Sequence, residues 1–262
     1  MFRALAVLAA AAPQLLSIFM LESCGWFAYE VMEPGPLEIA VWRTAGYASL
    51  LLPLVLAFLA LWTPRRFRTV GTIFAAVTLA LNALTLVVPY TTPCGRKSGE
   101  WLVVACHAVA VVALLRTRPG QQVPRPRAAV WSAVVLLVLG RALVRNHSSD
   151  GAVGCWADLQ GTWAQTMIHL DTAEALYIWV CLAAVGAVLA THRSAPFVGL
   201  VLLVPGLFQP IAWVVSDATH GCSSTFELFA WPYLIAGALA LLSQARLPGR
   251  GDPGATPERD ER

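Results

Sequence analysis

Eight apolar stretches recur along the chain, at approximately 3–23, 37–62, 70–90, 100–116, 128–145, 170–191, 197–216 and 226–244. Each is close to the roughly 20 residues an α-helix needs to cross about 30 Å of hydrocarbon, and longer than the roughly 9 to 11 residues of a barrel strand. A segment in lipid must satisfy its own backbone polar groups, and within one such run only a helix does so. Only 13% of the 262 residues are charged, against about 25% in soluble domains. The expected fold is therefore all-α, a polytopic transmembrane bundle of about eight spans.

Arginine placement orients the bundle. The loops 63–69, 116–127 and 191–196, with Arg3 and the tail from Arg246, hold 13 of the 18 basic residues. Arginine-rich short loops stay in the cytoplasm, so both termini are expected there, in the cell membrane. The opposite face carries 11 of the 15 acids. The first segment is read as a span rather than a cleaved leader, because its apolar stretch of about 18 residues exceeds the usual 7 to 15.

In this orientation Cys24, Cys94, Cys155 and Cys222 all fall on the extracytoplasmic side, while Cys106 and Cys181 lie within spans. Four loop cysteines on the oxidising face are what structural disulfides would produce. Their spacing suggests a repeat: Cys24 to Cys155 is 131 residues and Cys94 to Cys222 is 128. Asn82 and Gln209 precede the second member of each set by 12 and 13 residues. Two four-helix halves are expected, 1–122 and 123–246, followed by a Pro/Gly-rich, charged cytoplasmic tail, 247–262, read as disordered. Each half then most simply closes its own bond, Cys24 with Cys94 and Cys155 with Cys222.

Ionisable residues near the outer helix ends are the candidate ligand-binding groups: Glu22, Glu38, Arg43, His107, Arg141, His169, Asp171, Glu174, Asp217 and His220. Acids at helix starts are favoured by the exposed N–H groups there, which alone accounts for Glu100 and Glu227. Asp171 and Glu174 share a helix face, and an unpaired carboxylate one turn into a span is costly. Arg43 and Arg141 are expected to face the bundle interior and pair with acids. His107 lies two helical turns, about 10 Å, beyond Glu100. No metal-ligand spacing such as H-E-x-x-H occurs, and no metal or other cofactor is expected. Pro205, Gly206 and Pro210 surround Gln209 in the seventh stretch, where a kink is expected.

Eight spans, two four-helix halves, outer-loop cysteines and the stretch EIAVWR opening the second span resemble the architecture of haem A synthases. That family uses histidine ligands in several spans, whereas only His107 lies clearly within one here, so the resemblance carries over no activity. No nucleic-acid motif, P-loop or nucleophile elbow is present. The expected partners are the lipid bilayer and a small or lipid-like ligand. The expected function is an outward-opening polar pocket that binds or transports that ligand. The alternatives are a membrane-embedded enzyme using carboxylate acid/base chemistry on a lipophilic substrate, and a structural subunit of a membrane complex.

Overall fold

The computed structural model describes residues 2–17, 34–92, 95–118, 122–143, 173–192, 194–220 and 231–245. These form eight α-helices and one short hairpin: α1 (Phe2–Ser17), α2 (Pro36–Trp62), α3 (Phe67–Val87), β1 (Tyr90–Thr92), β2 (Gly95–Lys97), α4 (Trp101–Leu115), α5 (Arg125–Leu143), α6 (Ala173–Val188), α7 (Ala195–His220) and α8 (Trp231–Ala245). One helix falls in each of the eight apolar stretches, and α2, α3 and α5 are long and apolar enough to cross a membrane.

Local chemistry sets the ends of α2. Gly35 is extended and Pro36 opens the first turn, where its missing N–H costs nothing. Glu38 Oε2 accepts the Gly35 N–H at 3.3 Å, the return half of a capping box. At the other end the Thr63 N–H reaches Leu59 O at 3.0 Å, and Pro64 prevents another helical turn. Within α2, Pro53 has no N–H to give the carbonyl four residues back, which loosens the backbone around residues 49 and 50. The Tyr177 hydroxyl of α6 donates to the Leu50 carbonyl at this place.

The helices form two closed rings. In the first, α1 packs on α2 and α4, and α3 packs on α2 and α4. In the second, α5 packs on α6 and α8, and α7 packs on the same two. The rings meet where α6 lies against α1 and α2, with α2 also touching α5. Alanine, valine and leucine fill both interiors, with Phe67 in the first and Trp131 and Tyr233 in the second completely buried.

Glycines let helices approach closely in the second ring. A Cβ on Gly237 would lie 2.9 Å from Gly199 O, and one on Gly186 would lie 2.5 Å from the Trp131 ring. Small residues at such contacts are how apolar helices pack where the hydrophobic effect between them is weak. In the first ring the corresponding tight place is Gly71, where a Cβ would meet Leu56 and Leu114 at 2.9 and 3.2 Å.

Arginine-bearing ends gather at one pole. Arg3 donates to Pro64 O at 3.3 Å and lies over the Phe67 ring at 4.9 Å, and Arg127 of α5 donates to Ser243 O of α8 at 3.2 Å. Glu38 and the hairpin occupy the opposite pole. Two sequence expectations change here. The third stretch does not run as helix to residue 90, because α3 stops at Val87 and the chain turns into the hairpin, pairing Tyr90 with Lys97 and Thr91 with Arg96. Arg43 is exposed rather than interior: α2 buries Ala45, Ser49, Leu52 and Leu56, and residue 43 lies two positions, about 200°, around the helix from Ala45.

Candidate functional site

The polar groups of the first ring form a track along α2, α3 and α4. It begins at the pole opposite the arginines, where Glu38 Oε2 accepts the Thr91 N–H at 3.2 Å and the Thr91 hydroxyl at 3.0 Å, in addition to Gly35. Arg96 approaches Glu38 Oε1 at 3.9 Å from an exposed position. Trp42 of α2 donates its indole N–H to Val88 O at 2.8 Å and stacks at a tilt on Tyr90, with ring centroids 5.5 Å apart. Glu38 therefore latches the hairpin to the start of α2. Its Oε2 serves the fold, while Oε1 faces Arg96 alone among the described residues.

Deeper along the track, the Gly99 N–H bonds Thr85 O at 2.7 Å, fixing the entry to α4 against the end of α3. Thr85 donates to Asn82 O at 2.7 Å. Asn82 Nδ2 donates both to Ser49 Oγ of α2 at 3.0 Å and to Thr78 O at 2.8 Å. The Thr78 hydroxyl donates to Phe74 O at 2.9 Å. Thr78, Asn82 and Thr85 recur at i, i+4 and i+7, one face of a helix, and each is less than a tenth exposed.

His107 marks the deep end. Gly71 against Leu114 and Thr85 against Gly99 fix the antiparallel register of α3 and α4, and this places His107 level with Thr78. Its side chain is 0% exposed. Nδ1 lies 2.8 Å from Val103 O, and a carbonyl only accepts, so Nδ1 carries the hydrogen. In the neutral ring Nε2 is then a bare acceptor, and no described group bonds it. Beyond this level the ring is apolar, lined by Leu56, Ala60, Phe67, Ala75, Ala110 and Leu114. Among the buried polar residues of α1–α4 and their loops, only Thr117 lies past it, where its hydroxyl closes the end of α4 on Leu114 O at 2.7 Å.

The other sequence candidates divide as follows. Arg141 is 3% exposed, interior as expected, near the end of α5. Glu174 lies in the first turn of α6, and Asp217 and His220 in the last turn of α7; their side chains fall outside the described set. Glu22, His169, Asp171 and the cysteines Cys24, Cys94, Cys155 and Cys222 lie outside the described residues. Cys106 and Cys181 are free thiols, and no group of three or more His, Cys, Asp or Glu gathers among the described residues.

Sequence reading missed Ser49, Thr78, Thr85 and Thr91. The spacing of Thr78, Asn82 and Thr85 was the available signal for three of the track residues. The Tyr-Thr-Thr run before Pro93 and Gly95 was the signal for the hairpin.

Trp131 Nε1 also lacks a hydrogen-bond partner among the described residues, but no polar series among them leads to it and its ring packs on Gly186. No protein-family model, curated protein or solved structure matches the chain.

Proposed function

We propose that the chain is an eight-span protein of the cell membrane with both termini cytoplasmic, whose first four-helix half takes a small, largely apolar ligand from the outer side. The ligand carries an O–H or N–H donor, which it delivers to His107 Nε2. That unfilled nitrogen at the deep end of a polar track is the observation on which the reading rests. A buried acceptor without a partner costs about 1 to 3 kcal/mol, and a ligand donor would recover it. The polar side chains above it each have a partner within the chain, so a donor at His107 Nε2 would satisfy the one unmatched buried side-chain atom among the described residues of the track.

Two halves related by duplication fit the same reading. Exchanging α1 with α5 and α2 with α6 maps the contacts between the rings onto themselves. Tyr177 meets Leu50 at a separation of 127 residues, close to the 128 that separates Gly71 from Gly199 and Cys94 from Cys222. At an offset of 127 residues His107 corresponds to Leu234 and at 128 Thr78 corresponds to Gly206, and these two meet each other across α7 and α8. Among the described residues the second ring thus does not repeat the site. We place the disulfides within the halves, Cys24 with Cys94 and Cys155 with Cys222.

Binding or transport is preferred to carboxylate catalysis because, of the described carboxylates at the outer pole, Glu38 is committed to three donors of the fold and Glu100 lies exposed ahead of α4. Native mass spectrometry of protein released from its own membrane tests the proposal. The wild type should carry a non-protein mass that His107→Leu loses at least ten-fold and Leu234→Met retains. Equal retention by all three, or a bare wild-type protein, contradicts it.

A further inference from the structure

An open apolar groove of about 490 Å³ runs along α2 from Leu51 past Val55, Phe58 and Leu59 to Trp62 and Thr63. It is far from the polar track in chemistry and lies on the half of α2 nearer the arginine pole. Twelve residues of helix cover about 18 Å, slightly more than half the roughly 30 Å hydrocarbon core. The groove is therefore about one leaflet deep.

Its end at Thr63 adjoins exposed arginines. Thr63 O accepts the Arg66 N–H at 2.9 Å, so exposed Arg65 and Arg66 sit in the tight turn that directly follows the groove's last lining residue. Trp62, which lines the groove, donates its indole N–H to Ser132 Oγ of α5 at 2.9 Å, and this brings the first turns of α5, with exposed Arg125, towards the same pole. Between Glu38 and Asp150 the sole acid is Glu100, which precedes α4 at the opposite pole, and the four acids of the tail, Asp252, Glu258, Asp260 and Glu261, lie outside the described residues. An apolar slot one leaflet deep, ending at exposed arginines that pair with no acid among the described residues, matches an acyl chain with a phosphate above it.

We propose that this groove is a binding site for an anionic phospholipid of the arginine-side leaflet, one acyl chain lying along Leu51–Trp62 and its phosphate held by Arg65 and Arg66. The site is independent of His107 and of any ligand there. Thermal unfolding of the full chain in a neutral detergent tests it, with added phosphatidylglycerol, phosphatidylcholine of the same acyl chains, or inorganic phosphate. Phosphatidylglycerol should raise the midpoint by several degrees, and phosphatidylcholine by less than half as much. The surface double variant Arg65→Gln/Arg66→Gln should lose most of the difference between the two lipids. Val55→Trp, which fills the groove, should lose the response to both. Equal shifts from the two lipids, a full shift from phosphate alone, or an undiminished phosphatidylglycerol response in the double variant would overturn the proposal.

Discussion

The two rings repeat one packing pattern and hold it together by different means. In the first, hydrogen bonds link neighbouring helices: Asn82 to Ser49 across α2 and α3, and Gly99 N–H to Thr85 O between the end of α3 and the start of α4. In the second, beside the Arg127 bond to Ser243 O between α5 and α8, close glycine contacts do this work, with Gly199, Gly206 and Gly237 bringing α7 and α8 together and Gly186 receiving the Trp131 ring. At the level where the first ring places His107 and Thr78, the second places Leu234 against Gly206. The glycine contacts leave little room between α7 and α8, and Leu234 there offers no polar side-chain atom. A polar seam is weaker as glue but leaves hydrogen-bonding groups in the interior of the first ring, where the proposed site lies.

Substitutions should separate the rings by size of effect. Trp131→Ala removes the largest fully buried side chain of the second ring and should lower the unfolding free energy by about 3 to 5 kcal/mol, measured by denaturant titration in detergent. Gly237→Val forces a side chain against Gly199 O and Leu203 and should cost about 1 to 3 kcal/mol in the same assay. His107→Leu should raise the stability of ligand-free protein by about 1 kcal/mol, because an apolar group replaces an unmatched acceptor. Asn82→Leu should cost only about 0.6 kcal/mol, the average for hydrogen bonds between membrane helices. If Asn82→Leu proved as damaging as Gly237→Val, the contrast between a polar seam and a close-packed one would fail.

Helix positions were legible because each helix is an uninterrupted apolar run, and a run of that length has few alternatives. The packing was less so. α2 is apolar on nearly every side, and only contact with α3 and α6 makes Leu52 and Leu56 interior while Leu51 stays exposed. A face that is not marked by polarity cannot be read from periodicity. Glu38 looked like a ligand group because a carboxylate at a helix start serves equally as a cap. The hairpin that claims its second role is built from Thr91 and Arg96, more than 50 residues later. The unfilled nitrogen of His107 depends on which ring atom faces Val103 O, which no spacing encodes.

The central claim is that a polar track leads from the outer pole to His107 and stops there. Single cysteines at Thr85, Asn82, Thr78, Ala75 and Gly71, in a background with the native cysteines replaced, can be exposed in intact cells to a small membrane-impermeant thiol reagent. The account predicts labelling at 85, 82 and 78, slower with depth, and none at 75 or 71. Labelling that begins at 71 and fades towards 85, or that is absent throughout, would contradict it.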